Sequence, residues 1–249
     1  MSPGELLRRS AGAVFSVPMR LVPRRFRFGV MMRAARVIAP FIARRESRRA
    51  HETARMDGAA DLAVHLVWHV MTKNGVPFDP IVDWNGYEDV VSAYREGRGV
   101  LLASPHAALG LLSIRQNYDH GLRPITITSH PTRVPGTRIL HETIQPSATF
   151  FVTAKQRLRE GRLVGAMIDR AEHTEERTIE FETPRGPLIV APALLELAVR
   201  CGARVAFVAA RTDHGRVVGR FAVASGDSTE KLVREYVDFV RAHIDQVSA

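Results

Sequence analysis

An α/β fold with a mostly parallel central sheet flanked by helices is what this 249-residue sequence predicts, and three observations predict it. From residue 85 onward, short apolar runs alternate with stretches at helical spacing, the rhythm of βαβ units. Those runs are nearly continuous in apolar residues, as strands buried on both faces are. Hydrophobic residues make up 45% of the chain, enough for one full-sized core. The expected organisation is therefore a basic helical segment, residues 1–50, followed by one α/β domain, residues 51–249.

The first segment carries the charge. Residues 1–50 hold 12 arginines against Glu5 and Glu46, a net of +10, whereas the remaining 199 residues sum to −1. Such a block is attracted to a polyanion: phospholipid headgroups, an acidic carrier protein or nucleic acid. Leu7, Ala11, Val14 and Phe15 share one helical face, and Pro18 and Pro23 break that pattern. A second helix is predicted from near Phe26, with Val30, Ala34, Val37, Ile38, Phe41 and Ile42 on a common arc, bordered by Arg33 and Arg36 and kinked at Pro40. An apolar stripe edged with arginine can lie in a membrane interface or pack on its own domain, and the pattern alone does not separate the two.

Residues 54–71 predict a third amphipathic helix, closed by the break at 75–80. His65 and His69 stand one turn apart on it, but Leu66 follows His65, so the H-E-x-x-H pattern is absent and no metal site is expected. Strands are expected at 100–104, 125–128, 149–152, 164–168 and 205–209, with helices at 107–118, 136–144, 154–160 and 191–200. Residues 178–181 and 216–224 add strands, antiparallel at an edge. A closing helix opens with Asp227 and Glu230 as a capping-box-like pair and turns Val233, Tyr236, Val237, Val240 and Ile244 inward.

Several classes are excluded. The single Cys201 rules out an internal disulfide framework and suits a reducing compartment. No run of 18 apolar residues predicts a spanning helix, and the first residues lack the compact apolar core of a secretory signal. Gly97 and Gly99 precede their strand, while a dinucleotide fingerprint follows one, so no nicotinamide cofactor is implied. No nucleophile elbow and no lysine-bearing phosphate loop is present, and no other cofactor is expected.

Four landmarks carry the functional reading, in this order. Glu96-Gly97-Arg98-Gly99 leads into Val100-Leu101-Leu102-Ala103-Ser104-Pro105-His106, a strand that delivers a histidine to the start of a helix. Arg133-Val134-Pro135-Gly136-Thr137-Arg138 follows. Then Leu158-Arg159-Glu160-Gly161-Arg162 turns into a strand ending at Ile168-Asp169-Arg170. Last comes Phe181-Glu182-Thr183-Pro184-Arg185-Gly186-Pro187, with Leu-Ala-Val-Arg-Cys-Gly-Ala-Arg-Val ending at Val205.

This ordered series resembles the late acyltransferases of lipid A biosynthesis and the related mycobacterial phosphatidylinositol mannoside acyltransferases, over most of residues 85–224. The resemblance implies a lysophospholipid acyltransferase-like fold with an interfacial N-terminal region. It also implies transfer of a fatty acyl group from an acyl carrier protein or coenzyme A thioester to a hydroxyl. The family's H-x4-[DE] motif is incomplete here, because Leu111 stands five residues after His106. An amine, which needs less help from a base, is the alternative acceptor where the motif's acid is missing. The location this implies is cytoplasmic, with peripheral contact at the inner face of the membrane through residues 1–50.

Chemistry assigns the candidates their roles. His106 is the general base, and such a base needs a partner that fixes its tautomer and orientation. Asp169 is the substitute for the missing acid, because carboxyl ends of parallel strands converge on one crevice; capping a turn is its structural alternative. Arg138, Arg170 and Arg185, with Ser104 at the strand end, are candidate substrate-binding residues. Arg185 is the best placed of the arginines if a helix starts near Ala191. Backbone donors near Ala107 would serve an oxyanion. Two further readings stay open: aminoacyl-tRNA-dependent transfer to a small amine, its donor held by the basic segment, and a non-catalytic homologue that binds lipid or a carrier protein.

Overall fold

A computed structural model describes residues 18–46, 58–107, 109–129, 132–169, 177–183 and 186–245. Helix α1 (Arg24–Glu46) and helix α2 (Ala59–Lys73) lie against each other before the sheet begins. They are followed by β1 (Val82–Asn85), α3 (Tyr87–Arg95), β2 (Val100–Ser104), α4 (Leu112–Asp119), β3 (Ile125–Ile127) and β4 (Thr143–Ile144). Next come α5 (Phe150–Arg159), β5 (Leu163–Met167), a hairpin of β6 (Ile179–Thr183) and β7 (Gly186–Val190), and α6 (Ala193–Cys201). The long hairpin β8 (Arg204–Asp213) and β9 (Arg216–Val223) leads to α7 (Thr229–Asp245).

The seven-stranded sheet has the order β1-β9-β8-β2-β5-β3-β4. Strands β8, β2, β5, β3 and β4 are mutually parallel; β9 runs antiparallel to β8 and carries β1 beside it. The chain is thus α/β with a mostly parallel mixed sheet flanked by helices. Alternate residues of each central strand feed opposite faces, as the two-residue period of a strand requires. Leu101, Ala103, Val164, Ala166, Val205 and Phe207 face α5, α6 and α7. Val100, Leu102, Leu163, Ala206 and Val208 face α3, and Ala210 continues that face toward α1 and α2.

Glycine has a packing role at the amino ends of β2 and β5. Gly99 has φ +76°, and a Cβ there would collide with the carbonyl of Leu158. Two turns therefore touch through backbone at the end of the sheet opposite His106.

Several expectations are corrected. Residues 149–152 are not a strand: Phe150 and Phe151 open α5, whose apolar spacing continues to Ala154 and Leu158. Residues 136–144 are not a helix, because Gly136 (φ +75°) accepts the Phe78 N–H and its neighbours form a loop closed by the Arg133–Leu140 bridge before β4. The antiparallel β9 is not at the edge, since β1 covers it. In α7 the side-chain cap is the Ser228 hydroxyl, accepting the Lys231 N–H at 3.4 Å, while Asp227 binds the Lys231 ammonium at 2.8 Å. Leu232, Val233, Tyr236, Val237, Phe239 and Val240 form its buried face.

In α1 the buried arc is rotated from the one expected. Phe28, Met31, Met32 and Ala35 are its buried centre, Val30, Ala34, Ile38 and Ile42 flank it, and Val37 and Phe41 point outward. The helix continues through Pro40. The face drawn for Leu7 to Phe15 lies outside the described residues, as does the side chain of Ile244.

Candidate functional site

The site grows from the register of two neighbouring parallel strands. Ser104 at the end of β2 pairs with Met167 at the end of β5, and the Ile168 N–H extends that pairing to the Ser104 carbonyl at 3.2 Å. His106 and Asp169 each lie two residues further on, so the strand ends deliver them to one place. There the Asp169 Oδ2 accepts the backbone N–H of His106 at 2.6 Å. This distance is that of a strong, charge-assisted bond.

His106 occupies the apex of a tight turn. The Ala107 N–H donates to the Pro105 carbonyl at 2.7 Å, an i to i+2 bond of the γ-turn kind. The side chain of His106 is exposed, while Pro105 and Ala107 on either side are buried. Asp169 therefore anchors the main chain that presents the imidazole, which makes it a positioning residue for His106. The Ala107 N–H, expected as an oxyanion donor, is committed to Pro105.

The position of the family's acid has a different environment. Leu109 and Leu112 are fully buried between the sheet and the α1–α2 pair, and Leu111 packs against the same cluster. A carboxylate at 111 would border apolar side chains and face desolvation. Behind Asp169, Tyr236 of α7 is fully buried. Burial, and after it the charge of Asp169, raises the phenol well above its ordinary range, so it stays protonated.

The other candidates are dispersed. The Ser104 hydroxyl donates to the Ala166 carbonyl at 3.4 Å, a bond along the sheet. Arg138 is exposed beside the turn at Gly75, and its own carbonyl accepts from Arg133 at 2.8 Å. Arg170 and Arg185 lie outside the described residues. The helix expected near Ala191 is α6, which begins at Ala193 after strand β7 (Gly186–Val190). His65 stacks on His69 at 6.2 Å and meets Trp68 edge-on. Among the described residues no cluster of His, Cys, Asp or Glu is arranged to hold a metal ion.

Sequence reasoning missed two buried polar centres. His141 is 6% exposed, its Nε2 lying 2.7 Å from the Thr126 hydroxyl and its Nδ1 3.4 Å from the Tyr118 hydroxyl. Burial lowers its pKa to about 4 despite the opposing charge of Glu142. Asp61, near the start of α2, is also buried. Its Oδ1 accepts the Thr212 N–H at 2.6 Å and the Thr212 hydroxyl at 2.7 Å, and its Oδ2 accepts the Gly58 N–H at 2.9 Å. The partners of His141 and the Thr212 partner of Asp61 are distant in sequence and depend on the fold, whereas the Gly58–Asp61 bond is the local N-cap to N3 spacing of α2.

No protein-family model and no curated protein sequence matches the chain. No helix among the described residues is long and apolar enough to cross a membrane.

Proposed function

We propose that the protein is a peripheral acyltransferase with a lysophospholipid acyltransferase-like fold, taking its acyl group from a carrier-protein or coenzyme A thioester. The observation that carries this reading is the convergence of His106 and Asp169 on the carboxyl ends of adjacent central strands, joined at 2.6 Å. The ordered landmarks from Glu96 to Val205 support the same class. His106 accepts the proton of the acceptor hydroxyl or amine as its oxygen or nitrogen attacks the thioester carbonyl. The C–S bond breaks as the new acyl bond forms, and the proton passes from His106 to the departing thiolate.

Peripheral membrane contact is part of the proposal. Phe26, Val37 and Phe41 project from one side of α1 with 53, 69 and 67% exposure, and Arg25 and Arg33 are exposed along the same helix. Apolar residues flanked by arginine favour an anionic lipid surface.

Purified protein given acyl-carrier-protein and acyl-coenzyme A donors with hydroxyl and amine acceptors provides the test. Transfer by the wild-type chain, falling 100-fold or more in a folded His106→Ala variant, is expected for general-base chemistry. A second reading, a non-catalytic homologue that binds lipid or a carrier, is favoured by the apolar surroundings of Leu111 and the committed Ala107 N–H. Transfer unaffected by His106→Ala, or none with any donor, selects that reading.

A further inference from the structure

Helices α1 and α2 leave an open cleft of about 470 Å³ where they meet the β8–β9 hairpin. That volume lies within the range of small-molecule sites, roughly 300–1,000 Å³. Met32, Ala35 and Ala39 of α1 and Val64 of α2 line its walls, and Arg36, His214 and Thr212 bring its polar groups. An apolar chamber with cationic character at one end suits a ligand that is itself apolar with one anionic end.

The hairpin is shaped around Arg36. Asp213 pairs with Arg216, and the two residues between them, His214 (φ 42°) and Gly215 (φ 80°), form a turn of the I′ kind. A Cβ on Gly215 would collide with the Arg36 guanidinium, so the glycine gives this cation its seat. The nearby carboxylates are engaged by partners other than Arg36. Both oxygens of Asp61 are occupied by Thr212 and Gly58, and Asp213 stands beside His214 at 3.9 Å. On the outer side, exposed Val37 and Phe41 flank the sequence positions of Arg36, Ala39 and Pro40, all of which line the cleft.

We propose that this cleft binds a single-chain fatty carboxylate, its alkyl chain between α1 and α2 and its carboxylate on Arg36 beside His214. A nucleotide would find no polar partners for its base among the methionine, alanine and valine walls, and a two-chain phospholipid exceeds the volume. The site is built from residues other than His106 and Asp169, so the proposal does not rest on acyl transfer at that histidine.

The test is calorimetric titration of the full chain with dodecanoate, below its micellar concentration, and with dodecanol, below its solubility limit. Saturable binding of dodecanoate is expected, about tenfold tighter than dodecanol because of the charge-assisted contact. Arg36→Ala should remove that preference, Ala39→Phe should weaken dodecanoate at least tenfold by filling the cleft, and His106→Ala should bind as wild type does. If Ala39→Phe fails to fold, the Arg36→Ala comparison decides, since Arg36 is exposed. Absence of saturable binding, equal affinity for the alcohol, a preference that survives Arg36→Ala, or loss of binding in His106→Ala would overturn the proposal.

Discussion

On one face of the sheet, α5, α6 and α7 close over Leu101, Ala103, Val164, Ala166, Val205 and Phe207 with Leu158, Leu195, Tyr236 and Val240, all nearly inaccessible to water. On the other face, α1 and α2 bury Phe28, Met31, Val67 and Met71, yet α1 leaves Val37 and Phe41 exposed and carries five arginines between residues 24 and 36. The first layer completes a core. The second joins the core by one arc and presents another to its surroundings. A helix that is apolar on two sides satisfies the fold with one of them, so the other is free to serve contact with something outside the domain. His106 emerges from β2, a strand that α5, α6 and α7 cover on one face and α3 covers on the other.

The comparison is broken most severely by emptying the closed layer. Phe207 is buried against Tyr236 and Phe239, with ring centroids 5.5 and 5.7 Å away. Phe207→Ala is expected to cost about 3–5 kcal/mol, measured by urea denaturation. A loss below about 1 kcal/mol would mean that α7 is not held against the sheet through this ring.

The joint between the open layer and the sheet comes next. Asp61→Ala removes the acceptor for two backbone N–H groups and the Thr212 hydroxyl. Leaving buried donors without partners costs about 1–3 kcal/mol each, reduced where water reaches them, so a total of about 3 kcal/mol is expected. Asp61→Asn, which keeps an acceptor oxygen, should recover part of the loss. Equal losses in the two variants would sink the hydrogen-bond account.

A pH experiment addresses the same open face through α4. Folding holds His141 neutral, with a pKa of about 4 against roughly 6.5 unfolded. The folded-state value is depressed, so this contribution is fully present above pH 6.5 and is lost as pH falls toward 4. The upper bound is about 3 kcal/mol from this residue. His141→Gln should have a flatter stability profile between pH 6.5 and 4, and a profile identical to wild type would remove His141 from the acid response.

How much of this was legible in the sequence differs by residue. The strand ends that bring His106 and Asp169 together could be read from the apolar runs and the residues that close them. The atom that Asp169 binds could not, because the same register serves an imidazole or a main-chain N–H, and the turn at Pro105 and Ala107 decides between them. Leu111 could be read as a missing acid, but its contact with the α1–α2 cluster depended on long-range packing. The arc of α1 was ambiguous for a physical reason: Phe28, Met31, Met32 and Ala35 repeat at the same helical period as Val30, Val37 and Phe41. Residues 149–152 show the matching ambiguity of a short apolar run, which fits a strand or the first turn of a helix equally well.

The smallest expected change in stability gives the sharpest separation between the layers. Val37→Ser with Phe41→Ser alters side chains that are already 69 and 67% exposed, so the unfolding free energy should move by no more than about 0.5 kcal/mol. Binding to vesicles containing anionic phospholipid should nevertheless fall severalfold, because interfacial affinity scales with the apolar area inserted and is reinforced by basic charge. Arg25→Ala with Arg33→Ala should weaken the same binding, with the deficit shrinking as salt screens the headgroups. Unchanged vesicle binding in the Val37/Phe41 variant would assign the outward arc no membrane role. Lost binding at unchanged stability would show that one helix meets two environments through two different sets of residues.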